Sequence, residues 1–254
     1  MGTDALRTRL RGWLEGLGGE PGLVVYTAAV VLVAAHYQGS THAFRVLFKQ
    51  RFDDLAWVGA LPYLWWFGAS IFFYLAVPLL VARVAGASFS ERYGFQLGDW
   101  RLGLKLSALF LAVMLPATWV ASTLPAFRDI YPLAGKVVYL AHANRSYATF
   151  SWPLFLTYEL GYAAYFFAWE FLFRGWLLHG VAPRWGKGPA ILLTVVPFAV
   201  MHLGKAELEA LGSIVAAVAL GVLSVQTRSF YYGVLLHAAV AIWMDVLAVA
   251  ARGA

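Results

Sequence analysis

The sequence contains no cysteine and few charged residues. Without cysteine the chain has no disulfide framework, no thiolate metal site and no cysteine nucleophile. Its 19 basic and 13 acidic residues make up 13% of the 254 residues, against roughly 25% in soluble domains. Hydrophobic residues make up 61%, so too few polar residues remain to cover a soluble fold of this size. These proportions exclude a water-soluble, disordered, fibrous or disulfide-stabilised protein.

Long apolar runs predict a helical membrane protein. The runs occupy residues 22–37, 57–82, 102–124, 154–179, 189–203, 208–226 and 231–250. Several reach the roughly 20 residues that a helix needs to cross a bilayer. A β-barrel would instead show alternating segments of about ten residues. We therefore predict an all-α, polytopic transmembrane helix bundle with about seven spans, within a range of six to eight, embedded in a lipid bilayer.

The chain is predicted to form a single domain with three parts. Residues 1–21 form an N-terminal amphipathic surface segment, because leucines recur there at helical spacing between arginines. An ordinary basic flank of the first span is the alternative. Residues 22–153 hold the N-terminal transmembrane helices and loops, with a loop and room for a short helix over 128–150, and residues 154–254 form a C-terminal core. No dense basic cluster is present, so no nucleic-acid partner is expected.

Four charged residues lie deep inside the apolar segments, at least five positions from either end: Glu159, Glu170, Arg174 and Asp245. Each costs about a few kcal/mol at membrane depth, so such residues mark functional sites. Glu170 and Arg174 are four residues apart and share one helical face. An ion pair that only locks the bundle is the alternative interpretation. Glu159 lies about 16 Å from Glu170 along the helix, so the two cannot pair, and its position near the segment start favours contact with the membrane interface.

Two histidines lie in later apolar segments. His202 follows Phe198 by one helical turn, and His237 lies early in the last segment. A lone histidine in an apolar helix is more often a packing residue than a catalyst. Two of them beside a Glu/Arg helix favour a chemical role, because neutral imidazoles can orient a water, bind a metal or stabilise an oxyanion.

The order Glu-x-x-x-Arg, Phe-x-x-x-His and a last histidine in an apolar helix resembles the CPBP family. This family, the CAAX-protease and bacteriocin-processing or Abi group, comprises glutamate intramembrane endopeptidases. The resemblance covers about residues 154–250 and is carried by Glu170-Phe-Leu-Phe-Arg174-Gly175 and by Phe198-x-x-x-His202. Two positions depart from the family pattern. Trp169 stands where many members have a first glutamate, and Ala241 stands where the family usually has Asn or Asp.

The resemblance implies hydrolysis of a peptide bond in a membrane-associated or lipidated protein or peptide. It implies that Glu170 and His202 activate a water, with Glu170 as general base. His237 would donate to the developing oxyanion, and Arg174 would orient Glu170. Asp245 and Glu159 are candidates for a supporting role.

The resemblance implies no metal and no other cofactor. Two histidines and one carboxylate are also a standard ligand count for catalytic zinc, so zinc or another divalent metal held by Glu170, His202 and His237 is the alternative. Two non-enzymatic functions also remain open: a catalytically silent immunity or binding protein, and a small-solute transporter. The expected location is a bacterial inner membrane, as an integral protein.

Overall fold

The computed structural model describes Gly12, Glu15, Gly16 and residues 18–48, 59–86, 92–140 and 149–252. Within these ranges the chain is built from helices joined by turns, with one pair of two-residue strands. The predicted all-α helix bundle is confirmed. Most of the predicted surface segment at 1–21 lies outside the described residues, and the division into three parts stays a prediction.

The helices follow the predicted apolar segments. In chain order they are α1 (Gly19–Gln38), α2 (Thr41–Phe48), α3 (Leu61–Ile71), a first π-helix (Phe72–Ala76), α4 (Val77–Val84), α5 (Trp100–Ser122), α6 (Pro125–Arg128), α7 (Gly135–Val138), α8 (Trp152–Glu170), a second π-helix (Phe171–His179), α9 (Gly180–Trp185), α10 (Lys187–Val200), α11 (Glu207–Thr227) and α12 (Tyr231–Ala250). Strands β1 (Tyr139–Leu140) and β2 (Thr149–Phe150) pair antiparallel. The predicted loop at 128–150 thus contains α7 and this strand pair.

Local signals in the sequence set where several helices begin and end. Asp99 caps α5, because its carboxylate accepts a hydrogen bond from the Leu102 N–H at 3.0 Å. Proline stands in the first turn of α8, where a missing N–H costs no helical hydrogen bond. Arg228 has a left-handed backbone with φ 57°, and its N–H bonds to the Ser224 carbonyl at the end of α11.

Five of the described helical stretches are long and apolar enough to cross a membrane, judged by length and composition. They are Gly19–Gln38, Leu61–Val84, Trp100–Ser122, Glu207–Thr227 and Tyr231–Ala250. The other two predicted segments are also helical. Residues 154–179 run through α8 and the second π-helix and carry three charged side chains, Glu159, Glu170 and Arg174. The α10 helix has 14 residues, or about 21 Å, which is shorter than the hydrocarbon core of roughly 30 Å.

The core surrounds the junction of α8 with the second π-helix. Residues 168–178 are all buried, and the central side chains Phe171, Leu172 and Phe173 have no exposed surface. Helices α3 and α12 pack against α8, while α10 and α11 pack against the second π-helix. The Glu-x-x-x-Arg motif spans this junction, so the fold places its two charges at the centre of the bundle.

Candidate active site

Glu170 is the centre of a buried hydrogen-bonded group. Its side chain has no exposed surface, and its Oε1 atom accepts two hydrogen bonds. One comes from Arg174 Nη1 at 3.1 Å and the other from His237 Nδ1 at 2.8 Å. Because a carboxylate only accepts, the Nδ1 atom of His237 carries the proton of this bond. The structure thus joins two of the predicted site residues to Glu170.

Arg174 lies within the second π-helix, one turn after Glu170. Its side chain has no exposed surface, and its guanidinium stacks 4.2 Å from the ring centroid of Phe198. A π-helical segment inside an α-helix is a feature that occurs often at functional sites. The negative and positive charges neutralise each other, which reduces the cost of burying either side chain.

His202 lies in the turn after α10 and is anchored by its own helix. Its Nδ1 atom and the Phe198 carbonyl oxygen are 2.7 Å apart, so Nδ1 carries a proton that it donates. The rings of His202 and His237 are nearly parallel, with an interplanar angle of 14° and centroids 6.2 Å apart. Glu170 does not bond to His202, since its other oxygen, Oε2, has no partner among the described residues.

Trp169 lies beside both imidazoles. Its ring centroid is 5.9 Å from that of His202 and 6.3 Å from that of His237, at interplanar angles of 80° and 85°. The side chain is 3% exposed, and its indole N–H is buried without a hydrogen-bond partner among the described residues. The residue that departs from the family pattern therefore forms a wall of the site and leaves one donor unused.

Gly233 is a site residue that the sequence analysis missed. A Cβ atom at this position would lie 2.5 Å from Oε2 of Glu170. Glycine therefore allows the carboxylate to approach α12 closely enough to reach His237. Its position four residues before His237, on the same helical face, was the available signal.

Replacing Gly233 with Ala is expected to lower the free energy of unfolding by about 1–3 kcal/mol, because the new methyl group forces the Glu170 carboxylate away from His237. Thermal unfolding of the purified protein in detergent micelles measures this effect. The matched control is Gly212→Ala, since a Cβ on Gly212 in α11 meets no atom within 4 Å. Equal unfolding temperatures for the two variants would contradict the close approach.

Asp245 and Glu159 do not contact the other predicted site residues. Asp245 Oδ1 accepts a hydrogen bond from the Leu133 N–H at 3.3 Å, and the Asp245 and Glu159 carboxyl groups face each other. Glu159 is only 6% exposed. The expectation that Glu159 reaches the interface is therefore wrong, because its side chain is buried within the protein.

The alternative of a metal held by Glu170, His202 and His237 stays a prediction. In the part of the chain that the structure describes, no group of three or more His, Cys, Asp or Glu side chains is placed to hold a metal ion. The carboxylate that would complete such a group, Glu170, instead bonds to Arg174 and His237.

The fold and this buried site define an integral membrane protein with a Glu/Arg/His centre. Residues 151–243 match the family model of the Rce1-like type II CAAX prenyl endopeptidases. The predicted resemblance to the CPBP/CAAX protease family is thus confirmed over this segment, which is less than half of the chain and contains Glu170, Arg174, His202 and His237. Comparisons with curated proteins and with solved structures gave no match. The family match supports a CAAX-type protease with a peptide substrate in a bilayer.

Proposed function

We propose that the protein is an intramembrane endopeptidase that hydrolyses a peptide bond of a membrane-embedded or lipidated peptide, with water as the nucleophile. The observation that carries the proposal is the 2.8 Å hydrogen bond from His237 to Glu170, with a second imidazole nearby. A carboxylate that orients an imidazole is a recurring way to make histidine an effective general base. The family match at residues 151–243 supports the same reaction class.

The two imidazoles supply the acceptors that a nucleophilic water needs. In the neutral rings, His237 donates its Nδ1 proton to Glu170 and His202 donates its Nδ1 proton to the Phe198 carbonyl. Each Nε2 atom therefore carries a lone pair. A water molecule has two O–H donors, so His202 holds it through one proton while His237 removes the other.

His237 both accepts the proton of the water and returns it to the leaving amine. Its Nε2 takes a proton from water as the water oxygen bonds to the peptide carbonyl carbon, and the Glu170 carboxylate stabilises the resulting imidazolium. The imidazolium returns that proton to the amine nitrogen as the C–N bond breaks. One water is consumed, and a carboxylic acid and an amine are formed. The unused indole N–H of Trp169 serves as a donor to the carbonyl oxygen as negative charge develops.

In this mechanism Glu170 is a positioning residue, and His237 is the base. The resemblance alone implied the opposite assignment, with Glu170 as base and His237 as oxyanion donor. Full burial of the Glu170 side chain favours the exchange of roles, because His237 keeps 17% of its side-chain surface exposed and Glu170 keeps none. Arg174 donates to the same oxygen of the carboxylate as His237 and helps to fix its position.

A catalytically silent binding or immunity protein is the second candidate function. Trp169 occupies the position beside both imidazoles where many family members have a first glutamate, and its ring is buried there. Ala241 cannot donate the hydrogen bond of an Asn side chain. The same residues would then hold a membrane peptide without cleaving it.

The proposed substrate class follows from the surroundings of the site. The outward faces of the candidate spans are apolar and exposed, with examples at Leu109, Val113 and Val215, so substrates reach the site from a bilayer. The Glu170-Phe171-x-x-Arg174 form of the motif resembles bacterial branches of the family, which supports a bacterial inner membrane. The proposed substrates include both prenylated and unprenylated membrane peptides.

Hydrolysis by the full chain in liposomes is the expected result. Farnesylated and unmodified membrane peptides are incubated with wild-type protein, and mass spectrometry identifies new termini. We expect one class to be cleaved, with at least about a 100-fold lower rate for His237→Ala. Because no metal takes part in the proposed reaction, EDTA and 1,10-phenanthroline should leave the rate unchanged.

Each other outcome points to a different function. Binding of a peptide without new termini supports the silent protein. Loss of cleavage with chelator that zinc restores supports the metal mechanism. Uptake of a solute into the same liposomes, without peptide binding, supports a transporter.

A further inference from the structure

A second group of buried ionisable side chains lies away from the candidate active site. Glu159 precedes Glu170 by eleven residues on α8, which corresponds to about 16 Å along the axis. Asp245 follows His237 by eight residues on α12, which corresponds to about 12 Å. Asp245 has no exposed surface and Glu159 is 6% exposed. The proposed hydrolysis uses neither of them.

The two carboxyl groups lack the donors that two buried carboxylates require. Asp245 Oδ1 accepts one bond, from the Leu133 N–H. Asp245 Oδ2 and both oxygens of Glu159 are buried and receive no hydrogen bond from any described residue. Yet the carboxyl groups of the two residues lie within hydrogen-bonding range of each other. They can bond only if one of them carries a proton, because ionised carboxylates are acceptors only.

The charges around the pair lead to the same conclusion. Lys205, in the turn after α10, supplies positive charge, but its Nζ lies 3.8 Å from Glu209 Oε1 and donates to the Tyr131 hydroxyl at 3.1 Å. With both members ionised, three carboxylates would face one ammonium group, and of these groups only Lys205 and Glu209 are more than slightly exposed. One proton on the pair leaves two carboxylates, of which Glu209 also accepts from the Tyr131 hydroxyl. Repulsion between close carboxylates favours the protonated state.

Other polar groups lie around the pair, and Arg252 just after the end of α12 donates to the Tyr131 carbonyl of the neighbouring segment at 3.0 Å. Helix α8 contributes hydroxyl groups that interact electrostatically with both carboxyls, and the Tyr158 hydroxyl is buried without a hydrogen-bond partner in the described part of the chain. Burial raises the pKa of the Tyr131 hydroxyl, so this group stays a donor. Burial lowers the pKa of Lys205, while Glu209 and Asp245 raise it. The ionisable groups that face Glu159 and Asp245 are Tyr63, Tyr131, Tyr158, Tyr162, Lys205 and Glu209.

We propose that Glu159 and Asp245 bind one proton between them, and that this proton keeps residues 125–135 packed against α12. Residues 125–135 are called the crossing segment. Asp245 holds the crossing segment through the Leu133 N–H, and the Tyr63 hydroxyl donates to the Leu133 carbonyl at 2.9 Å. Loss of the proton places two negative charges side by side under Leu133. The crossing segment then separates from α12, because only the entry of water relieves the repulsion between the two carboxylates.

The crossing segment also reaches the turn that carries His202. Tyr131 bonds to Lys205, whose backbone N–H donates to the His202 carbonyl at 3.2 Å. Phe127 and Tyr131 pack with Ala206 of this turn and with Met244. The shared proton therefore stabilises the segment that covers the His202 turn.

Infrared spectroscopy of the full chain in liposomes tests the shared proton. Exposed carboxyls are ionised at neutral pH, so we expect the carbonyl band of a protonated carboxylic acid from this pair. The band should be lost in Glu159→Gln and in Asp245→Asn and kept in Glu207→Gln, whose carboxyl is exposed. Absence of the band in wild type, or its survival in both pair variants, would overturn the proposal.

Hydrogen exchange provides a second readout that needs only wild-type protein. As pH rises until the infrared band disappears, exchange in residues 125–135 should increase at least tenfold more than in residues 92–99, another segment between helices. Equal changes in the two segments would overturn the link between the proton and the crossing segment. Neither measurement depends on hydrolysis, so failure of this proposal is distinguishable from failure of the proposed function.

Discussion

Replacing Glu170 with Gln is expected to lower kcat for peptide hydrolysis by about 10²–10⁴-fold, with little change in KM. The amide carries no charge to stabilise the His237 imidazolium that forms in the transition state. KM stays nearly constant because the Glu170 side chain is fully buried and bonds to Arg174 and His237 rather than to substrate. Initial rates in liposomes at several peptide concentrations separate the two parameters.

The control for this variant is Glu207→Gln, which makes the same chemical change on an exposed side chain at the start of α11. It should keep the wild-type rate. Full cleavage by the Glu170→Gln protein would eliminate the proposed role of the carboxylate. A large rise in KM with unchanged kcat would assign Glu170 to substrate binding instead.

Replacing Arg174 with Met is expected to lower the free energy of unfolding by about 3–5 kcal/mol, because it leaves the Glu170 charge buried without its cation. The double variant Arg174→Met/Glu170→Gln removes both charges and should recover much of that loss. Denaturant unfolding in mixed micelles, followed by circular dichroism, measures all three variants. This double-mutant cycle isolates the energy of the pair.

Arg184→Met is the matched control, since Arg184 lies exposed near the end of α9. It should change stability by less than about 0.5 kcal/mol. If the double variant were less stable than Arg174→Met by the full effect of Glu170→Gln alone, the two side chains would act independently. The predicted ion pair at the centre of the bundle would then be wrong.

The spacing of residues within one helix predicted only part of the site. Glu170 and Arg174 are four residues apart, so a helix alone brings them together, and the structure shows them 3.1 Å apart. His237 lies 67 residues from Glu170, and no local pattern reports that α12 packs against α8. The family resemblance placed the histidines in one site, but the partner of each Nδ1 atom depends on helix packing.

Trp169 and Glu159 show why contacts between helices could not be predicted from the sequence. Trp169 was recognised only as a departure from a motif, and its place beside both imidazoles depends on how α10 and α12 cross α8. Glu159 was expected at the interface because it lies near the start of an apolar segment. It is instead buried, and its carboxyl group faces Asp245 on α12, which is distant in sequence.

The sequence by itself determined the membrane class, the apolar segments that become helices, and the helical face shared by Glu170 and Arg174. These features follow from composition and from a local period of 3.6 residues. Only the tertiary structure decided that His237 bonds to Glu170, that Gly233 leaves room for the carboxylate, and that Glu159 meets Asp245. These contacts join different helices, and side-chain packing between helices selects them.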